Sequence, residues 1–221
     1  YTESQCSVFS NEEAVEALIA LCEDDSAMYI DTRGARDSHL CFNNRWQAGK
    51  LAVEHADNDV LKAKAYRALA ALTQKVPQET FKTSVFSRNF IGLPGYVIEG
   101  SPNPEDVTLA YAAQIEWSAN EDVDAYTRKL ILNDLKNAYA NLDPEQKVNF
   151  ERSLLAYARD SKDINDSDRF IDVGFILYRS SDVAVIEESE SFLNVLLAKQ
   201  EPDSVLARQI RKYLNKHSNV Q

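Results

Sequence analysis

Glycine is scarce in this chain, with six among 221 residues. Phosphate-cradling loops need clustered glycines, and neither a P-loop nor a dinucleotide fingerprint is present. Gly92-x-x-Gly95 runs into Tyr96 without the Gly-Lys-Ser/Thr ending that would complete such a loop. Long apolar runs are also missing. The longest, Ala14 to Cys22, is broken by Glu16 and falls well short of the ~20 residues a membrane-spanning helix requires. No membrane insertion is expected.

Cysteine occurs three times, at 6, 22 and 41. An odd count cannot form a closed disulfide framework, and the pairing among the three stays open. None is needed for stability, because a folded chain of 24.9 kDa buries about 70% of its unfolded surface. The chain opens on Tyr1, and its sole methionine is Met28. Such a start fits either a removed leader or a trimmed chain, and the expectation favours a soluble, exported protein, periplasmic or secreted, over a cytoplasmic one.

Histidine is equally rare, with three copies, and that narrows the catalytic options. Asp37, His39 and Cys41 would share one side of a strand and offer three zinc ligands. No second ligand pair such as CxxC or HxxxH supports them, and a surface turn is the plainer reading. Cys41 and His55, with Asp57 orienting the imidazole, would make a nucleophile–base pair. No glycine-flanked elbow surrounds Cys41. Asp160, Asp163, Asn165, Asp166 and Asp168 cluster like a calcium loop, but Asp168 and Gly174 stand where an EF-hand needs Gly and Glu. An interhelical loop that caps the next helix explains them equally well. No catalytic residue, metal or cofactor is expected.

The most informative absence is of positive charge. No Lys or Arg precedes Arg33, and none lies between Asn89 and Thr127. The net charge of −11 is therefore concentrated in these two stretches, and the remainder carries an excess of base. Such fields repel nucleic-acid phosphates and steer basic partners inward, although a charge run is most often a solvated face.

What is present is helix, restarted many times. Ser10 and Glu13 have capping-box spacing, with Ala14, Leu18, Leu21 and Cys22 as a stripe behind them. Residues 26–57 are hard to read, and Ala27 to Thr32 suit a short strand. Asn58 or Asp59 caps a helix striped by Leu61, Ala65, Leu69 and Leu72, which ends before Pro77. Residues 78–102 hold β-branched and aromatic residues among glycines and prolines, as a short β-hairpin or irregular segment would. Asn103-Pro104 and Asp143-Pro144 each set a cap before a proline at the first helical position. Asn120 and Ser181 are further caps. Ala-Tyr pairs at 65, 110 and 156 recur at the period of two-helix repeats, but their flanks do not align.

These readings predict a predominantly all-α fold of about eight helices, an irregular bundle or array. It forms a single mainly helical domain over 1–221, looser over 1–57. The expected function is a non-enzymatic protein-binding module, with an inhibitor or immunity-type protein for a basic partner inside that class. Its predicted surface comprises Glu105, Asp106, Tyr111, Glu116, Trp117, Glu121, Asp122 and Asp124, where aromatics anchor and carboxylates steer. The plainer reading places Tyr111 and Trp117 in the core. Two alternatives remain: a hydrolase with carboxylates in a helical groove, and a structural subunit of an envelope or secretion assembly. The basic end of the last helix (Arg208, Arg211, Lys212, Lys216) would pair with an acidic stretch. Partner identity and oligomeric state are not encoded in any motif.

Overall fold

A computed structural model describes residues 10–25, 38–76, 92–162 and 164–217. Among the described residues there are ten α-helices, one short 3-10 turn and no strand. The fold is all-α. No helix among them is long and apolar enough to cross a membrane. The chain divides into two compact units, residues 1–114 with 122–127, and residues 115–121 with 128–221.

In the first unit, α1 (Asn11–Glu23), α2 (Ser38–His55) and α3 (Asp59–Thr73) pack mutually, and α4 (Gly92–Gly100) packs on α3. Helix α5 (Pro104–Ala119) enters the unit through Gln114. Ser10 and Glu13 form the expected capping box, and Asn58 caps α3 by accepting from the Leu61 N–H. Leu69 and Leu72 of α3 are fully enclosed, each burial being worth about 1.5–3 kcal/mol.

Three local expectations are corrected here. The buried stripe of α1 is Val15, Ile19 and Cys22, while Ala14 and Leu21 face outward. Two apolar stripes lie one residue apart on this helix, and contact with α2 and α3 selects between them. Residues 38–55, hard to read in the sequence, form the 18-residue α2. Its inner stripe runs Phe42, Arg45 and Trp46, Gly49, then Ala52 and Val53. Helical spacing is intact, but an arginine and a glycine disguise it. Arg45 is buried because its Nε donates to the Cys22 carbonyl at 2.8 Å and its Nη2 meets Asp25 at 2.8 Å. Finally, residues 92–100 are helical rather than half of a hairpin. The expected strand at 27–32 and the hairpin positions 78–91 lie outside the described residues.

Gly100 explains part of that last difference. A Cβ there would sit 1.9 Å from the Tyr66 hydroxyl, so glycine lets the Tyr66 ring close against α4. Trp46 meets Tyr96 edge to face and Tyr66 meets it tilted, each with ring centroids 5.8 Å apart. The glycine that looked like a strand breaker is a contact point between helices.

The second unit holds α6 (Ala125–Ala138) from Arg128 onward, the 3-10 turn Tyr139–Asn141, α7 (Pro144–Asp160), α8 (Asp166–Arg179), α9 (Val183–Ala198) and α10 (Val205–His217). Of the positions that helical spacing stripes here, Ile131, Leu135, Tyr139 and Leu142 are buried and Ala138 is half-buried, while Phe150, Leu154, Tyr157 and Ala158 are all buried. Asp143 and Gln146 complete a capping box on α7. The cap of α9 is Asp182 rather than Ser181, and Asp124 rather than Asn120 holds the first turn of α6 by accepting from Thr127 N–H at 3.0 Å. Asn120 instead ends α5, its N–H donating to the Glu116 and Trp117 carbonyls.

Connections of a few residues make α7, α8, α9 and α10 successive antiparallel neighbours. Helix α7 also touches α9, and α8 touches α10. Helices α7 and α9 therefore run parallel in one layer and α8 and α10 in the other. Tyr213 locks the second layer, its hydroxyl donating to the Gly174 carbonyl at 2.7 Å.

Candidate functional site

The second unit contains a cleft of about 710 Å³ beside the C-terminal ends of α7 and α9, a size suited to small ligands and short segments. Its long wall is one face of α9. Glu188, Ser191, Phe192, Val195 and Lys199 recur at steps of three and four, so all project to the same side. The adjoining face of α9 carries Val185, Ser189, Leu193 and Leu196 into the core. Leu155 of α7 and Leu196 complete an apolar floor. Val195 is 52% exposed, which leaves apolar surface open to solvent inside the cleft.

Five charged groups border this floor, and three are already committed. Arg169 closes the C-terminus of α7. Its Nη1 donates to the Ala158 and Arg159 carbonyls at 2.5 and 3.0 Å, and its Nη2 to the Ser161 carbonyl at 2.5 Å. A cation there answers both the orphan carbonyls and the negative end of the helix dipole. Asp166 accepts from Gln200 Nε2 at 2.7 Å. Arg159 pairs with its neighbour Asp160 at 3.2 Å. Glu188 and Lys199 remain exposed without a partner among the described residues. They stand at opposite ends of the α9 face, about 16 Å apart at 1.5 Å per residue.

The acidic surface read from the sequence is divided by the structure. In the first unit, Glu105 is exposed and 2.9 Å from Arg67 Nη2. Asp106 is fully enclosed, bound by Arg67 Nε and by the Ser101 hydroxyl at 3.0 Å. Tyr111 is buried; Asp122 and Asp124 are exposed. In the second unit, Trp117 is buried while Glu116 and Glu121 are exposed. The two aromatics therefore have no free face to anchor a partner. On α5 nearly every side is covered over Ala110–Ser118, so helical spacing alone could not tell their side from the solvent side.

Residues 38–41 are helical rather than extended, so the strand spacing on which a zinc site was read does not apply. Asp37 and the side chains of His39 and Cys41 lie outside the described residues. Cys41 and His55 occupy opposite ends of α2, about 21 Å apart along its axis, too far for a nucleophile–base pair. In the acidic loop, Asn165 caps α8 through the Asp168 N–H, Asp160 and Asp166 are committed as above, and Asp168 pairs with Lys129 at 3.4 Å. Asp163 lies outside the described residues. No cluster of three metal-ligating side chains occurs among the described residues. The basic end of α10 does not pair with acid there: Arg211 donates to the Pro202 carbonyl, and Arg208 and Lys212 are exposed. The Lys216 side chain lies outside the described residues.

Sequence reasoning missed one buried polar knot. Glu151 is 1% exposed and accepts from the Tyr139 and Ser180 hydroxyls, the latter at 2.6 Å. Burial and the bond to Glu151 push the Tyr139 phenol well above its ordinary pKa. The knot ties α7 to the 3-10 turn and to the end of α8. A glutamate in the helical stripe next to Phe150 was the only sequence sign of it.

Comparison with protein-family models, with curated proteins and with solved structures finds no match for this chain.

Proposed function

We propose that this chain is a non-enzymatic helical protein-binding module for a basic partner, the class that also contains inhibitors and immunity-type proteins. The observation that carries the reading is the open α9 face, where Phe192 and Val195 offer apolar contact between two unpaired charges. Stacked helix pairs commonly bind partners along one layer. This face takes over the anchoring role that the sequence assigned to Tyr111 and Trp117.

The acidic groups have a separate role. Glu116 and Glu121 of the second unit, and Asp122 and Asp124 of the first, are exposed in a chain of net charge −11. Steering acts through the summed field and requires no single contact patch. Carboxylates of this kind accelerate encounter, while apolar anchors slow dissociation.

The test is affinity capture of the tagged protein from lysate and envelope fractions of its native cells, eluted with a salt gradient. A stoichiometric basic partner released at moderate salt is expected. Reversing charge at Glu116, Glu121, Asp122 and Asp124 lowers its association rate and flattens the salt dependence. No partner at low salt, or unchanged rates after charge reversal, would sink the reading.

A further inference from the structure

We propose that the α9 groove holds an extended peptide segment of about five residues, with a basic side chain at the Glu188 end, an apolar side chain in the middle and a carboxylate at the Lys199 end. This deepens the protein-binding reading and rests on it.

The length follows from the geometry. Glu188 and Lys199 are about 16 Å apart along α9. Five extended residues take four steps of about 3.3 Å, or about 13 Å from first to last Cα, and the side chains of the guest's two end residues cover the rest. A helical guest would need about eleven residues to span the same distance, and an isolated helix of that length is marginal in water. The extended segment is therefore the occupant.

The chemistry follows from what is already satisfied. Arg169 spends its guanidinium on three carbonyls of the α7 terminus, and Asp166 is held by Gln200. Both are engaged within the protein, as Arg159 is with Asp160. Glu188 and Lys199 have no partner among the described residues, one of each sign, with Val195 between them and Leu155 beneath. A guest with charge only at one end would leave the other groove charge unanswered. The carboxylate at the Lys199 end is a Glu or Asp side chain or a chain terminus, since both present the same group to the ammonium.

The test uses fluorophore-labelled pentapeptides and fluorescence anisotropy on the full chain. The mixed peptide has lysine first, leucine third and glutamate last. Its controls carry lysine at both ends or glutamate at both ends, and a further pair ends in a free or an amidated terminus. Saturable binding strongest for the mixed peptide is expected. Glu188→Lys or Lys199→Glu each weakens it about two- to fivefold. Combining both restores it, because an extended guest can reverse direction. Val195→Asp weakens it about tenfold or more. A gain from the free terminus over the amide assigns the carboxylate to a chain end, and no gain assigns it to a side chain; both support the groove.

Equal binding of the three charge patterns, or no saturable binding, overturns the proposal. So does a concentration-dependent dimer of the chain that Val195→Asp abolishes, since a second copy would then be the occupant. In each case a partner captured by wild type and by Val195→Asp alike leaves the protein-binding reading standing. Failure to capture any partner removes that reading instead.

Discussion

Arg67 and Asp106 form an ion pair in which the carboxylate is wholly enclosed while the guanidinium keeps 48% of its side-chain surface in solvent. The asymmetry makes Asp106 the vulnerable partner. Its two oxygens are held by Arg67 Nε and the Ser101 hydroxyl, so it ties α3 to the start of α5. Asp106→Ala is expected to destabilise the protein by about 1–3 kcal/mol, below the range for a fully buried pair because Arg67 remains hydrated. Glu105→Ala, which removes an exposed partner of the same arginine, is expected to cost under about 1 kcal/mol. Urea denaturation of the two variants checks the difference, and equal costs would refute it.

Gly49 and Gly174 are both inside helices, and alanine should act oppositely at each. A Cβ on Gly49 would lie 2.5 Å from Leu69 Cδ2 and 2.8 Å from Cys22 Sγ. Gly49→Ala therefore overpacks the α1–α2–α3 core and should cost about 1–3 kcal/mol. At Gly174 the nearest atom would be 3.8 Å away, an ordinary contact. Gly174→Ala should raise stability by about 0.5–1 kcal/mol through lower backbone entropy of the unfolded chain. Thermal melts with shifts of opposite sign are the expected result.

Burial pushes the Cys22 thiol up from 9.0 to about 11, with a consequence for alkaline stability. The folded state keeps its proton after the unfolded state has lost it. The resulting stabilisation is complete below about pH 9 and disappears as pH rises towards 11. Burial raises Tyr96 from 10.0 to about 12, so its contribution is lost over a higher window. Stability should fall with pH from 9 upward, and Cys22→Ala should flatten the pH 9–11 part of the fall. A thiol reagent at pH 8 should modify Cys22 only at the rate of unfolding.

Removing either hydroxyl that serves Glu151 leaves a buried carboxylate oxygen unanswered. Tyr139→Phe keeps the ring contacts with Phe150 and Phe175 at 6.0 and 5.4 Å, so it isolates the hydrogen bond. Each of Tyr139→Phe and Ser180→Ala should cost about 1–3 kcal/mol. Because both act on one carboxylate, the double variant should differ measurably from the sum. Additive costs in a double-mutant cycle would show that the two donors act independently.

Helices and most of their caps were legible in the sequence because their causes are local. Ser10 reaches Glu13, Asn58 reaches Leu61 and Asp143 reaches Gln146, each three residues away. The stripes of α3, α6 and α7 repeat within four residues, and burial follows them. Helix α2 was hidden because Arg45 and Gly49 fill two of its inward positions, and only contacts with other helices make those residues suitable there. The acidic stretches look unbroken in the sequence, yet Glu16 meets Lys64, Asp25 meets Lys75 and Glu105 meets Arg67 across 48, 50 and 38 residues. No local pattern records such pairings. The groove was equally out of sight: Glu188, Val195 and Lys199 are ordinary surface positions until α7 and α8 come alongside and occupy the charges of Arg169 and Asp166. The sequence by itself determined where most of the helices lie, α2 and α4 apart, because capping and periodicity act within a turn. Only the tertiary structure decided which charges are answered and which apolar face stays open, because those depend on neighbours that folding brings from elsewhere in the chain.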